Sequence, residues 1–147
     1  MKRSFLTAQR LSEKNLDNAF SVLADARLLE QFIAPQELDG VVLFFPDPWL
    51  KRSQKHNQLV NKDFCKKLYT LVKNGGFVWV KTDQQSYFDG IQKSMEETGF
   101  VSFEQNLQEA SSELFDKQYI SHFEGVYRGQ DLGICQAVWK KIPMSTK

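Results

Sequence analysis

Val41-Val42-Leu43-Phe44-Phe45-Pro46-Asp47-Pro48-Trp49 is the stretch on which the reading of this chain turns. The almost unbroken apolar run from Leu38 to Phe45 has the length and composition of a parallel strand buried on both faces. It stops abruptly at two prolines that fix their own φ and restrict the residues before them, so the carboxylate of Asp47 is held in one orientation. In open α/β sheets the ligand crevice lies beyond the carboxyl ends of the strands, which is where this turn falls. Trp49 adds a flat apolar surface beside the carboxylate, suited either to a planar base or to plugging the edge of a core.

Working outward, the pattern alternates. Phe5, Ala8, Leu11 and Leu16 have approximately helical spacing and mark a surface helix over 4–16. Ala19–Ala24 is an apolar run of strand length, and Asp25 stands where it would cap a helix from Ala26 to about Ile33, before Pro35. Downstream of the Asp47 turn, Phe64, Leu68, Leu71 and Val72 form a helical stripe, with Asn74-Gly75-Gly76 read as its left-handed terminus. Phe77–Val80 is a second buried strand, and Tyr87, Ile91 and Met95 mark a helix ending near Gly99. Phe100–Phe103 and Gly133–Lys140 read as further strands, and Ser111-Ser112-Glu113 as a helix start. The alternation predicts a mostly parallel α/β sheet of nucleotide-binding type, with an antiparallel hairpin at its edge because the last two strands lack a clear crossover helix.

Composition sets the outer limits. The 147 residues are 41% hydrophobic and 25% charged, enough apolar material for one globular core. Nineteen basic and eighteen acidic residues leave a net charge of +1, so any nucleic-acid site must come from local clustering. The basic start has no signal-peptide core and no window has the length of an apolar membrane span, so a soluble, cytoplasmic protein is expected. Cys65 and Cys135 have no paired spacing, and with His56 and His122 as the histidines, reduced thiols and no metal centre are expected.

Charge does cluster. Lys51, Arg52, Lys55, Lys62, Lys66 and Lys67, with His56 among them, face the single acid Asp63 between positions 51 and 67. Such a run is either a solvated face or, directly after the Asp47 turn, a rim that grips phosphate. Asp83 to Glu124 is the reverse, with nine acids and two lysines. Asp25, Asp47 and Asp83 all fall at strand ends; Asp25 and Asp83 serve equally well as helix caps or turn residues.

Leu43–Trp49 with Lys51-Arg52, Leu59-Val60, Gly75-Gly76, Thr82-Asp83 with Tyr87, and Ser121-His122-Phe123-Glu124 resembles, in order and spacing, the tRNA (guanine-N7) methyltransferases. The resemblance implies a Rossmann-like class I methyltransferase fold, S-adenosylmethionine as cofactor, and tRNA as substrate, methylated at a variable-loop guanine. It implies that Asp47 is catalytic, at the junction of cofactor and target guanine, and that Asp25 lies near the cofactor's adenine. Lys51, Asp83, Ser121 and Glu124 would hold the target nucleotide, and the loop carrying Arg52, Lys55 and His56 would meet RNA.

Three departures qualify the match. Ser121 stands where the family has threonine, which keeps the hydroxyl. The family's loop carries a basic pair before the Leu-Val, where this chain has Asn57 and Gln58, a loss of about two phosphate contacts. The family opens with a strand, a glycine-rich cofactor loop and a second strand ending in an acid; Met1–Ser4 aligns just after that acid. Residues 1–147 therefore read as a partial methyltransferase domain, its fold incomplete with the first two strands absent. Their neighbours, the strands at Phe20 and Val41, would expose unpaired edges, to be filled by a partner or a second copy. The other reading is a non-catalytic RNA-binding or interaction fragment descended from the enzyme.

Overall fold

The computed structural model describes residues 2–104, 125 and 133–143. Helix α1 spans Lys2–Glu13, β1 Leu38–Phe44, α2 Lys62–Leu71, β2 Val72–Thr82, α3 Gln85–Glu97, β3 Phe100–Glu104 and β4 Cys135–Lys141. The strands form one sheet in the order β1-β2-β4-β3. β1 runs parallel to β2, whereas β4 is antiparallel to both β2 and β3. Among the described residues the sheet is thus mixed rather than mostly parallel. The expected antiparallel hairpin exists, but β4 inserts beside β2 and supplies two of the three pairings.

Side chains alternate across the pleat, and this builds the core. Val78 and Val80 of β2 and Ala137 and Trp139 of β4 pack against Phe64, Cys65 and Leu68 of α2 and Tyr87, Phe88, Ile91 and Met95 of α3. On the other face, Trp79 and Val138 pack with Phe44 and Phe77. β2 and β4, the two central strands, are buried on both faces. β1, expected to be so, is half-buried with Val42 48% exposed, because it lies at the edge of the sheet.

The region before β1 departs furthest from expectation. Ala19–Ala24 forms no strand, and Phe20, Val22 and Leu23 are 70–87% exposed. A strand needs a neighbour to satisfy its backbone, and no described segment lies beside this one in a sheet. The helix expected from Ala26 is a 3-10 segment, Ala26–Gln31, broken by non-helical geometry at Leu28.

Gly75-Gly76 also differs from its reading. Helix α2 ends at Leu71, capped by the Val72 N–H on the Leu68 carbonyl, and the glycines lie inside β2. Leu38 pairs with Val72 but Gly40 with Phe77, so the intervening residues bulge out of the ladder. Gly75 takes φ +83°, and a Cβ on Gly76 would come within 2.8 Å of the Asp39 carbonyl oxygen. The helix at Tyr87, Ile91 and Met95 and the final two strands fall where the periodicity puts them. The helix start read at Ser111 lies outside the described residues.

Candidate functional site

The turn after β1 is built on strained backbone. Phe45 and Trp49, at its two ends, have φ of 52° and 39°, a conformation that costs bulky residues about 1–3 kcal/mol each and clusters at functional sites. The Phe45 N–H donates to the Lys81 carbonyl at 2.8 Å, anchoring the turn to β2. Pro46, Asp47 and Trp49 then open onto a cavity of about 440 Å³. Ala24–Arg27, Asn57 and Leu59 line it as well.

Asp25, Asp47 and Trp49 therefore line one cavity. Asp25 is both cap and wall. Its carboxylate accepts the Arg27 backbone N–H at 2.9 Å, and the Arg27 guanidinium grips it through Nε and Nη2. That charged hydrogen bonding holds the Asp25 carboxyl down at about 2. Asp83 does not line this cavity; it follows β2 half-buried, accepting the Gln84 amide at 2.9 Å.

A second cavity of about 370 Å³ lies against α3, lined by Lys55, Gln58, Val60, Asn61, Tyr87 and Gly90 among others. Lys51 and Arg52 are exposed at the start of the 3-10 segment Arg52–Asn57, and His56 is exposed within it; none of the three lines either cavity. Ser121 and Glu124 lie outside the described residues.

The basic run divides by ion pairing. Lys62 pairs with Glu97 at 2.6 Å, Lys66 with Asp63 at 3.3 Å, and Lys67 with Glu30. Lys51, Arg52 and Lys55 have no acidic partner among the described residues.

Asn57 and Leu59 face one cavity while Gln58 and Val60 face the other, a period-2 alternation that marks an extended wall between them. Sequence reasoning missed that alternation and the Arg27 clamp, although Asp25 and Arg27 are spaced for a local ion pair. Cys65 and Cys135 are both free thiols, and burial pushes Cys65 up to about 12. No group of three or more potential metal ligands occurs among the described residues, and no described helix is long and apolar enough to cross a membrane.

A sheet whose strands β1 and β2 lead into Asp47 and Asp83, with helices packed on it and a cavity at the turn after β1, defines an α/β protein with an incomplete Rossmann-like fold. The chain belongs to the methyltransferase family "Putative methyltransferase", which it matches over residues 4–135. It is 41% identical over 78 residues to a tRNA (guanine-N(7)-)-methyltransferase of Paraburkholderia xenovorans, covering 52% of this chain and 30% of that one. It is 31% identical to the enzyme of the same name from an Acidovorax species, covering 91% of this chain and 51% of that one. The chain thus spans about half the length of the curated relatives it matches most fully. Its fold is shared with a SAM-dependent O-methyltransferase of Thermotoga maritima, at 13% identity and a TM-score of 0.56 over 98% of this chain and 48% of that one.

Proposed function

We propose that this chain is the substrate-side part of an S-adenosylmethionine-dependent tRNA (guanine-N7) methyltransferase. The observation that carries the reading is the Phe45–Trp49 turn, which sets Asp47 and Trp49 on a cavity of about 440 Å³ and is followed directly in the chain by Lys51, Arg52 and Lys55. The names of the relatives support the same reaction.

The residues present fit the adenosyl end of the cofactor: an indole wall at Trp49 and carboxylates at Asp25 and Asp47 on one cavity of about 440 Å³. When bound, the cofactor supplies a methyl group on a sulfonium. Guanine N7 already carries a lone pair, so this chain's task is alignment more than proton removal. Asp47 accepts hydrogen bonds from the guanine and offsets the positive charge gained on methylation. Lys51, Asp83, Ser121 and Glu124 hold the target nucleotide, and Arg52, Lys55 and His56 meet the RNA backbone.

The rest of the relatives' length, on the same or another polypeptide, completes the sheet at β1, against the exposed Phe20, Val22 and Leu23. The whole enzyme works in the cytoplasm, where its tRNA substrate is.

The test is methyl transfer from labelled cofactor to unmodified tRNA by the chain co-expressed with that complementing polypeptide. Incorporation at guanine N7 that disappears in Asp47→Ala is expected. Near-normal turnover in Asp47→Ala overturns the role of Asp47, and RNA binding without methyl transfer favours a non-catalytic RNA-binding module.

A further inference from the structure

The turn at 46–49 cannot hold itself. Two of its four residues are prolines without an N–H, and Trp49 sits at φ 39°, so the conformation persists only if its surroundings impose it. Among the described residues, one side chain bonds its backbone: the Gln58 Nε2 donates to the Pro48 carbonyl at 2.6 Å.

Gln58 is in turn fixed to two helices. Its own carbonyl accepts the Asn61 amide at 3.0 Å, while the Asn61 Oδ1 caps α2 by accepting the Asp63 and Phe64 N–H groups. The neighbouring Val60 N–H donates to the Tyr87 hydroxyl of α3 at 3.0 Å, where Tyr87 is 3% exposed. The route from rigid core to strained turn is therefore continuous: α2 and α3, Asn61 and Tyr87, Gln58, Pro48.

We propose that Gln58 is a positioning residue that sets the orientation of Asp47 and Trp49, a role that matters for catalysis only on the reading given above. A neutral amide can turn inward, half-buried, and donate to a carbonyl; an arginine or lysine there would lose hydration of its charge.

The chain's three tryptophans make the clamp observable. Fluorotryptophan labelling gives three fluorine resonances, with Trp49 assigned by Trp49→Phe, and Trp79 and Trp139, buried at 7% and 1% exposure, reporting on the fold. Gln58→Glu keeps the shape but offers only acceptors when ionised and an O–H donor when protonated.

At pH 7 the Trp49 resonance of Gln58→Glu should be displaced by more than its linewidth with the other two unmoved. It should return to the wild-type position at matched pH as the carboxyl protonates, at about 4.3 or above. An undisplaced Trp49, or a displacement that no acidification reverses, overturns the proposal. Should all three resonances move, Gln58→Met decides: Trp49 displaced alone at every pH upholds the clamp, while an unmoved Trp49 or a second loss of fold overturns it. The readout needs neither cofactor nor RNA, so its failure is distinct from failure of the methyltransferase reading.

Discussion

Arg27 grips the carboxylate of Asp25 through Nε at 3.0 Å and Nη2 at 2.7 Å, so one of the two acids on the cavity at the Asp47 turn is already paired within the chain. Arg27→Ala should release it. The Asp25 carboxyl, held at about 2, should rise towards the ordinary value of about 3.9, as followed by carboxyl NMR titration. Because the folded value lies below the unfolded one, the stabilisation is present above about pH 3.9 and is lost as pH falls through the folded value. The variant should therefore lose stability relative to wild type at neutral pH and converge with it in strong acid.

Lys51, Arg52 and Lys55 should behave differently from Lys62, Lys66 and Lys67 in RNA binding. Each alanine in the first group should reduce the slope of log K against log salt by about 0.7–0.9, one phosphate contact. Alanines in the second group remove charges already paired with Glu97, Asp63 and Glu30, and should leave the slope nearly unchanged. Equal slopes in both groups would contradict the division.

The 147 residues by themselves should bind S-adenosylmethionine weakly, because they span about half the length of the related methyltransferases and the resemblance places the glycine-rich cofactor loop outside them. Titration calorimetry should show no micromolar affinity for the chain alone, and binding should appear on addition of the complementing polypeptide.

Lys141 is a structural cation. At 7% exposure, its Nζ donates to the carbonyls of Tyr69 at 2.6 Å and Val72 at 3.0 Å, at the end of α2 where helical carbonyls lack partners. Lys141→Met should cost about 1.5–3 kcal/mol in urea denaturation, with the slope of the transition preserved.

The two thiols should separate in reactivity. Cys65, fully buried and pushed up to about 12 by burial, should react with an aromatic disulfide only as the protein unfolds. Cys135 is half-buried and donates to the Gln85 side chain at 3.1 Å; it should react first under native conditions.

The strand at Val41, the helices at Phe64 and Tyr87 and the closing strands were legible because their apolar spacing is a local property that packing reinforced. Ala19–Ala24 has the same local signal and failed, since a strand exists only with a neighbour to bond. Gly75-Gly76 was misread for a related reason. Left-handed backbone is needed at a helix end and in a strand bulge alike, and only the register between Leu38 and Val72 distinguishes them.

At the site, the amino-acid order by itself determined the proline-bracketed Asp47, the indole beside it, the basic loop and the family to which the chain belongs, because these depend on residue type and spacing. Tertiary structure alone decided which cations are spent on Glu97, Asp63 and Glu30, that Asp25 is held by Arg27, and that Gln58 turns inward to the Pro48 carbonyl. Each of these is a choice of partner, and a polar group takes the partner that the folded backbone brings within hydrogen-bonding distance.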